Sequence, residues 1–323
     1  HNEPGKFTAF IGWEWSSIPN GANLHRVILM DQGKKEAMKF LPYSLFDSDD
    51  PEDLWSWLGK TSKEAGTDFV AIPHNQNISK GRMFPLANRN GDSITATYAK
   101  TRMRWEPVVE TTQIKGDSET HPLLSPNDEF ADFETYDHAI ESGDQAEVAL
   151  FGDGFIGELS DEDRQLLEEN ETRIATAGDY SRSGLLRGLM IEERTGANPY
   201  KFGLIGSTDS HTSMSSSEED NFWGKMALDS TPENTLDPSK IVVPPKSYGA
   251  DMGAAGLAAV WATGNTREGL LSGFQRKEVY ATTGPRIELR FFGGFDFQSR
   301  DAQAKDIAAT GYGKGVPMGG DLS

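Results

Sequence analysis

An α/β fold is the class this sequence predicts, and three observations carry the prediction. Short aromatic and β-branched runs alternate with amphipathic helical stretches over most of the chain. The 323 residues suffice for a sizeable core, in one barrel-sized domain or two smaller ones. Several apolar runs stop at a carboxylate or an imidazole, and in parallel α/β folds the chemistry sits at the carboxyl ends of the strands.

The elements follow in order. FTAFIGWEW (7–15) is a run of aromatic and β-branched residues bounded by Gly5 and by SSIPNG, which predicts a buried strand and a loop. HRVILM (25–30) predicts a second strand. PEDLWSWLGKTSKEAG (51–66) puts Leu54, Trp55 and Leu58 on one helical face, with Asp49 or Asp50 before Pro51 as its start signal. DFVAIPHN (68–75) completes a strand, helix and strand in βαβ order. Residues 76–106 are polar and basic, with Arg82, Arg89, Lys100, Arg102 and Arg104, and admit a short helix around 94–105. PVVETTQI (107–114) predicts a strand. From 116 to 180 the composition turns acidic and loop-rich, as in an insertion or lid, with a helix over 160–178 whose Ser160 and Asp163 fit a capping box. A helix over 181–196 closed by Gly196, a strand KFGLIGSTDSH (201–211), a strand GLAAVWA (256–262), a helix over 265–277 and a strand RIELRFF (286–292) complete the pattern.

Composition narrows the function. Lys and Arg number 31 against 50 Asp and Glu, a net charge of −19, which argues against a nucleic-acid backbone as the main partner. With no cysteine, disulfide scaffolds, thiolate zinc sites and cysteine nucleophiles are excluded, so a metal would need His, Asp or Glu. Nothing resembles a secretory signal, and no apolar run approaches the roughly 20 residues of a membrane span. Compartment and oligomeric state are not legible. The chain opens on His1 and stops after the Gly-rich GYGKGVPMGGDLS, which reads as a fragment.

Four apolar runs deliver the chemistry: Glu14 ends the first, His74 ends FVAIPH, Glu110 ends PVVE, and Asp209 with His211 end KFGLIGSTDSH. If the backbone is extended, Asp209 and His211 share a face, and a carboxylate oxygen and an imidazole nitrogen there suit zinc, manganese or iron. A structural role competes with ligation for that pair, and His74 reads equally as a hydrogen-bonded histidine at a strand end. Glu14 between Trp13 and Trp15 is a carboxylate in apolar company, where burial costs several kcal/mol unless a cation or donors compensate. The tryptophans themselves read as core or cleft wall. Arg82 and Lys115 are candidates to grip a substrate anion or are solvated surface. Glu119 and His121, beside Asp117 in KGDSETHP, form either an acidic capping loop or, with Glu110, a contribution to the site. His138 reads as surface, and Asn77 and Asn170 fit glycosylation sequons by chance.

Glu14 in GWEW, His74 in AIPHN and the Asp-x-His of GSTDSHT, in this order, resemble the later motifs of the PHP (polymerase and histidinol phosphatase) superfamily of metal-dependent hydrolases. The longer strings GKFTAFIGWEWSSIPNGANLHRVIL, AIPHNQN, TQIKGDSETHPLLSPNDEFADFE, NPYKFGLIGSTDSHT and QRKEVYATTGPRIELRFF resemble a large domain-of-unknown-function family related to that superfamily, from Asn2 to the end of the chain. The resemblance implies a distorted, TIM-like (β/α)7 barrel over 1–292 with an insertion at about 116–180, and an incomplete C-terminal β element or domain over 293–323. It implies two or three divalent ions, Zn, Mn or Fe, held by Glu14, His25, His74, Asp209 and His211, with Glu14 and Asp209 in the catalytic role. Glu110, Glu119, His121, Arg82 and Lys115 would contact substrate or support the ligands. The superfamily's first His-x-His motif is absent, as expected if the opening strand is missing. The activity implied is metal-dependent hydrolysis of a small-molecule ester, of phosphoester type or, as a variant, a sulfate or other ester. A non-catalytic barrel holding a ligand or metal structurally is the alternative. A deaminase or amidohydrolase would want a further Lys or His at a strand end.

Overall fold

The computed structural model describes residues 2–136, 175–212, 216, 218–243, 247–253 and 256–322. The expected helix over 160–178, apart from its last residues in a turn, lies outside the described residues, as do His138 and Asn170.

Strands β1 (Ile11–Trp15), β2 (Arg26–Met30) and β3 (Phe69–Pro73) form an antiparallel sheet in that order, with Trp15 opposite Arg26 and Arg26 opposite Pro73. Between β2 and β3 lie a single helical turn α1 (Lys34–Ala37) and the helix α2 (Pro51–Ala65). Asp50 caps α2 by accepting from the Glu52 N–H at 2.7 Å, Pro51 occupies the first turn, and Gly66 at φ +73° ends it. The Leu54, Trp55, Leu58 stripe of α2 packs on Trp15, Ile28, Met30, Phe69 and Ala71. A further helix, α3 (Ala96–Trp105), leads into β4 (Val108–Gln113), which pairs antiparallel with β5 (Gly116–Asp117). Then α4 (Ser181–Thr195), closed by Gly196 at φ +73°, precedes β6 (Gly203–Gly206), which pairs parallel with β4. The short α5 (Pro232–Thr235), the pair β7 (Ile241–Val243) and β8 (Ser247–Tyr248), and β9 (Leu257–Val260) follow. Finally α6 (Arg267–Arg276) leads to β10 (Val279–Thr282) against β9, and β11 (Phe292–Gly293), α7 (Ile307–Lys314) and β12 (Val316–Pro317) close the chain. Among the described residues no helix is long and apolar enough to cross a membrane.

The (β/α)7 barrel is therefore a wrong expectation. The described strands form five small sheets in which β4 with β6 is the parallel pair and the other pairs are antiparallel. A parallel crossover needs a dozen or more residues, usually a helix. The connection 16–25 carries only the 3-10 turn Pro19–Gly21, so β2 must return alongside β1 in the opposite sense. Even the helical link through α2 brings β3 back antiparallel to β2. The expected strand over 286–292 shrinks to Phe292–Gly293.

The two faces of the first sheet explain where its polar residues go. Side chains alternate along a strand. Trp13, Trp15, Ile28, Met30, Phe69 and Ala71 face α2. On the other face Val27, Leu29, Val70 and Ile72 meet Val108, Ile205, Leu271, Phe274 and Val279 from β4, β6, α6 and β10. Glu14, His25 and His74 continue that second face at one end of the sheet. Gly12 lets β1 lie close to β2 there, because a Cβ at this position would stand 2.3 Å from the Ile28 carbonyl oxygen. Gly12→Ala is expected to cost about 1–3 kcal/mol in chemical denaturation. A loss under about 0.5 kcal/mol would mean that β1 shifts without strain.

Candidate metal centre

Glu14, His25 and His74 come together from three adjacent strands. β1 and β3 run in one direction and deliver Glu14 and His74 at their carboxyl ends, while β2 runs the other way and delivers His25 just before its first residue. Since Arg26 faces Pro73, His25 and His74 are the next pair beyond the ladder, and their rings meet edge to face with centroids 5.5 Å apart. His25 Nδ1 lies 2.7 Å and His74 Nε2 2.9 Å from the same oxygen, Glu14 Oε1. Burial pushes the Glu14 carboxyl up, but the hydrogen bonds from His25 and His74 outweigh it and hold the group well below the usual carboxylate range. An ionised carboxylate only accepts, so both ring nitrogens carry hydrogens toward it. Burial lowers His25, whereas His74 is raised because Glu14, Glu110 and Asp209 together outweigh its desolvation.

These three side chains offer ligand atoms all within 4.8 Å of one another. Around an ion at about 2.1 Å from each donor, tetrahedral donors stand roughly 3.4 Å apart, so to admit a divalent ion the two imidazole–carboxylate contacts would open by about 0.5–0.7 Å. The second nitrogen of His74, Nδ1, faces the Ile72 carbonyl at 3.4 Å, the kind of outer partner that orients a ligating ring. Around a four-coordinate ion, three protein donors would leave one position open, as catalytic zinc sites do and structural ones do not.

The surroundings carry an unusual density of unpaired polar atoms. His25 Nε2, both side-chain atoms of Asn75, Gln76 Oε1, Asn77 Oδ1 and Thr112 Oγ1 are buried without a hydrogen-bond partner, while the Gln113 amide faces one oxygen of Glu110. Buried polar atoms are normally satisfied, so such a concentration marks a place for water, ion or substrate. Asn75 sits at φ +54° in the tight turn after β3. Glu110 is buried and raised above the usual carboxylate range by desolvation, and its other oxygen accepts from the Ser207 hydroxyl.

Asp209 and His211 do not join the three-donor cluster. Asp209 adopts φ +48°, so the strand ends at Gly206 and the extended geometry expected of the Asp-x-His pair is not formed. Its carboxylate Oδ2 takes both Lys115 Nζ and Lys225 Nζ, the latter at 2.5 Å, and Lys225 also donates to the Asp209 carbonyl at 3.1 Å. His211 Nε2 stands 3.4 Å from Asp209 Oδ1 and 3.3 Å from Lys225 Nζ. Burial draws both ammonium groups down. Asp209 more than compensates at Lys115, whereas Lys225, also facing the Lys115 charge, falls to about 8. The Asp209 carboxyl is held far below its usual range by Lys115, His211 and Lys225 against its desolvation.

The remaining expected residues lie outside this centre. Arg82 is exposed and donates to the Pro19 carbonyl, and Glu119 pairs with Arg182 at 2.7 Å on the surface. His121 is buried with its ring 5.8 Å from that of Tyr180 and accepts the Leu123 N–H. Asp117 accepts the Glu119 and Thr120 N–H groups and is pushed by burial up to about 7, so this segment has the character of a capping loop. A carboxyl raised in the folded chain keeps its proton while the unfolded chain releases it. The stability it contributes is full below about pH 4 and lost as pH rises through about 7. Asp117→Asn is expected to flatten that fall, leaving the variant about 1–2 kcal/mol better placed relative to wild type at pH 8 than at pH 4, in urea melts at both values. An unchanged pH dependence would contradict it.

Lys225, Asn75 and Gln76 were not singled out from the sequence, and Asn77 was noted only as a chance glycosylation sequon. The amide run directly after a wholly apolar strand is a signal that could have found the three amides, whereas Lys225 in FWGKM has no local mark. A family model described as "Protein of unknown function (DUF3604)" matches residues 1–323. No match is found among curated proteins or among solved structures.

Proposed function

The chain belongs to the DUF3604 family of proteins of unknown function, and from its clustered Glu14, His25 and His74 we propose that it is a metal-dependent hydrolase of ester bonds. The supporting observation is the three-donor geometry, with buried unpartnered polar atoms on His25 and the adjoining Asn75. A bound ion of the Zn, Mn or Fe class would supply Lewis acidity and a water of lowered pKa. Glu14 contributes the negative charge that attracts the ion, and His25 and His74 contribute neutral nitrogens. Glu110, whose buried carboxyl desolvation pushes above the usual carboxylate range, would be the group to protonate a leaving alkoxide. The motif likeness to the PHP hydrolases favours phosphoesters, with sulfate and other esters as variants, and belongs to this proposal.

The test is metal analysis of the purified chain followed by turnover on aryl phosphate, diaryl phosphate, aryl sulfate and aryl carboxylate esters with added Zn, Mn or Fe(II). Stoichiometric metal and turnover of at least one ester are expected. Metal without turnover on any of them would favour a structural ion, and no more than trace metal would remove the proposal.

A further inference from the structure

The resemblance to PHP hydrolases implies two or three ions with Asp209 and His211 among the ligands, and the residues around Asp209 do not fit a second cation. We propose instead that the Asp209 cluster receives the anionic group of the substrate, with Lys115 and Lys225 as its positioning residues beside a single metal ion. This rests on the reading of Glu14, His25 and His74 as a metal site.

The argument is one of charge and distance. Lys115, Lys225 and Asp209 have side chains 8 %, 5 % and 9 % exposed, so their interactions are little screened. Both ammonium groups share Oδ2 of Asp209, leaving that carboxylate one oxygen, Oδ1, for anything else. An ion bridging Oδ1 and His211 Nε2 would be held against the Lys225 ammonium, which stands 3.3 Å from that same nitrogen. Two cations at such separation repel strongly in a buried setting.

An anion meets the opposite situation. At the cluster two lysine ammonium groups face the single carboxylate of Asp209, an excess of one positive charge. One divalent ion adds two positive charges, which a phosphate monoester dianion cancels and a sulfate monoester anion halves. Lys115 links the two halves of the site, since its charge acts on His25 on one side and it donates to Asp209 on the other. Its ammonium carries three hydrogens, of which Asp209 takes one and the neighbouring Lys225 nitrogen faces another, so it keeps capacity for an oxyanion. His211, with its side chain 40 % exposed, stands at the solvent side of the cluster.

The test uses the intact chain reconstituted with Mn(II) or Zn(II), with metal counted by mass spectrometry and inorganic phosphate or sulfate binding measured by calorimetry. One metal per chain is expected. Lys115→Met and Lys225→Met should each weaken phosphate binding at least tenfold with the metal count still one, and Lys225→Arg should stay within a few-fold of wild type. Tighter phosphate than sulfate identifies a phosphoryl site, and the reverse a sulfuryl site; either supports the assignment. Phosphate and sulfate affinities unmoved by both Met substitutions, or a second metal in wild type that Asp209→Asn removes, would overturn this inference alone. The wild-type metal count stands as a test even if the Met variants fail to fold. A wild-type chain without metal would overturn the metal reading and this inference with it.

Discussion

Glu106→Gln is expected to destabilise the chain by about 3–5 kcal/mol, seen as a lower midpoint in chemical denaturation at unchanged slope. Glu106 is buried between two guanidinium groups. Arg26 Nε lies 2.9 Å from Oε1 and Arg102 Nε 3.0 Å from Oε2, while the Trp55 indole N–H donates to Oε1 at 2.8 Å. The three charged side chains are between 1 % and 3 % exposed, so the network already carries one surplus positive charge in the interior. Arginine does not shed its proton to relieve this, and the aromatic faces of Trp15 beneath Arg26 and of Tyr200 4.7 Å from Arg102 share the task of holding it. Removing the carboxylate leaves two desolvated cations with a neutral amide between them. Changing all three residues to apolar ones of similar volume should recover much of the loss, because an apolar core of the same shape is no worse than a well-made buried triad. A loss below about 1 kcal/mol for Glu106→Gln would show that the guanidinium groups find other acceptors. Since Arg26 directly follows His25, the same substitution should also weaken metal binding, which ties the stability of this core to the site at its edge.

That network was hidden from sequence reasoning for a physical reason. Arg102 and Arg104 sit two apart in a polar stretch, and nothing local distinguishes the buried one, which reaches the Met83 carbonyl and Glu106, from its neighbour, which pairs with Asp68 at the surface. The same limit governs the fold. Local pattern placed the start of α2 after Asp49 or Asp50, the β3 run ending at His74 and the end of α4 at Gly196, because caps, stripes and apolar runs are written in neighbouring residues. Strand direction is not. It depends on how the 16–25 connection and the α2 link turn in space, and both yield antiparallel pairs where alternation of strand and helix suggested parallel ones. The site shows the same division. Glu14 and His74 stood out as polar residues closing apolar runs, whereas His25 opens its run, HRVILM. Its position follows once β2 runs opposite to β1 and β3. Asp209 was placed on a strand by its apolar lead-in, but the left-handed turn at that residue and the two lysines converging on it are tertiary facts.

His74→Ala and Glu14→Gln should each lower metal affinity by well over tenfold and ester turnover by about three orders of magnitude, equivalent to about 4 kcal/mol of transition-state stabilisation. The two substitutions act differently. Glu14→Gln keeps the shape but removes the charge that both imidazoles address, so a site of two neutral nitrogens and an amide loses most of its attraction for a divalent ion. His74→Ala removes a donor whose ring is almost wholly buried and leaves a hole beside Ile72, so its effect on stability must be measured separately from its effect on metal. His211→Ala provides the contrast. His211 lies outside the three-donor cluster and is exposed, so that variant should retain its metal while Glu14→Gln and His74→Ala do not. Equal metal loss in all three variants would return Asp209 and His211 to the ligand set and make the lysines their competitors. Full metal and turnover in Glu14→Gln would instead mean that the meeting of Glu14, His25 and His74 at the end of the first sheet is a hydrogen-bonded device of the fold, in which the carboxylate holds two imidazoles for packing alone.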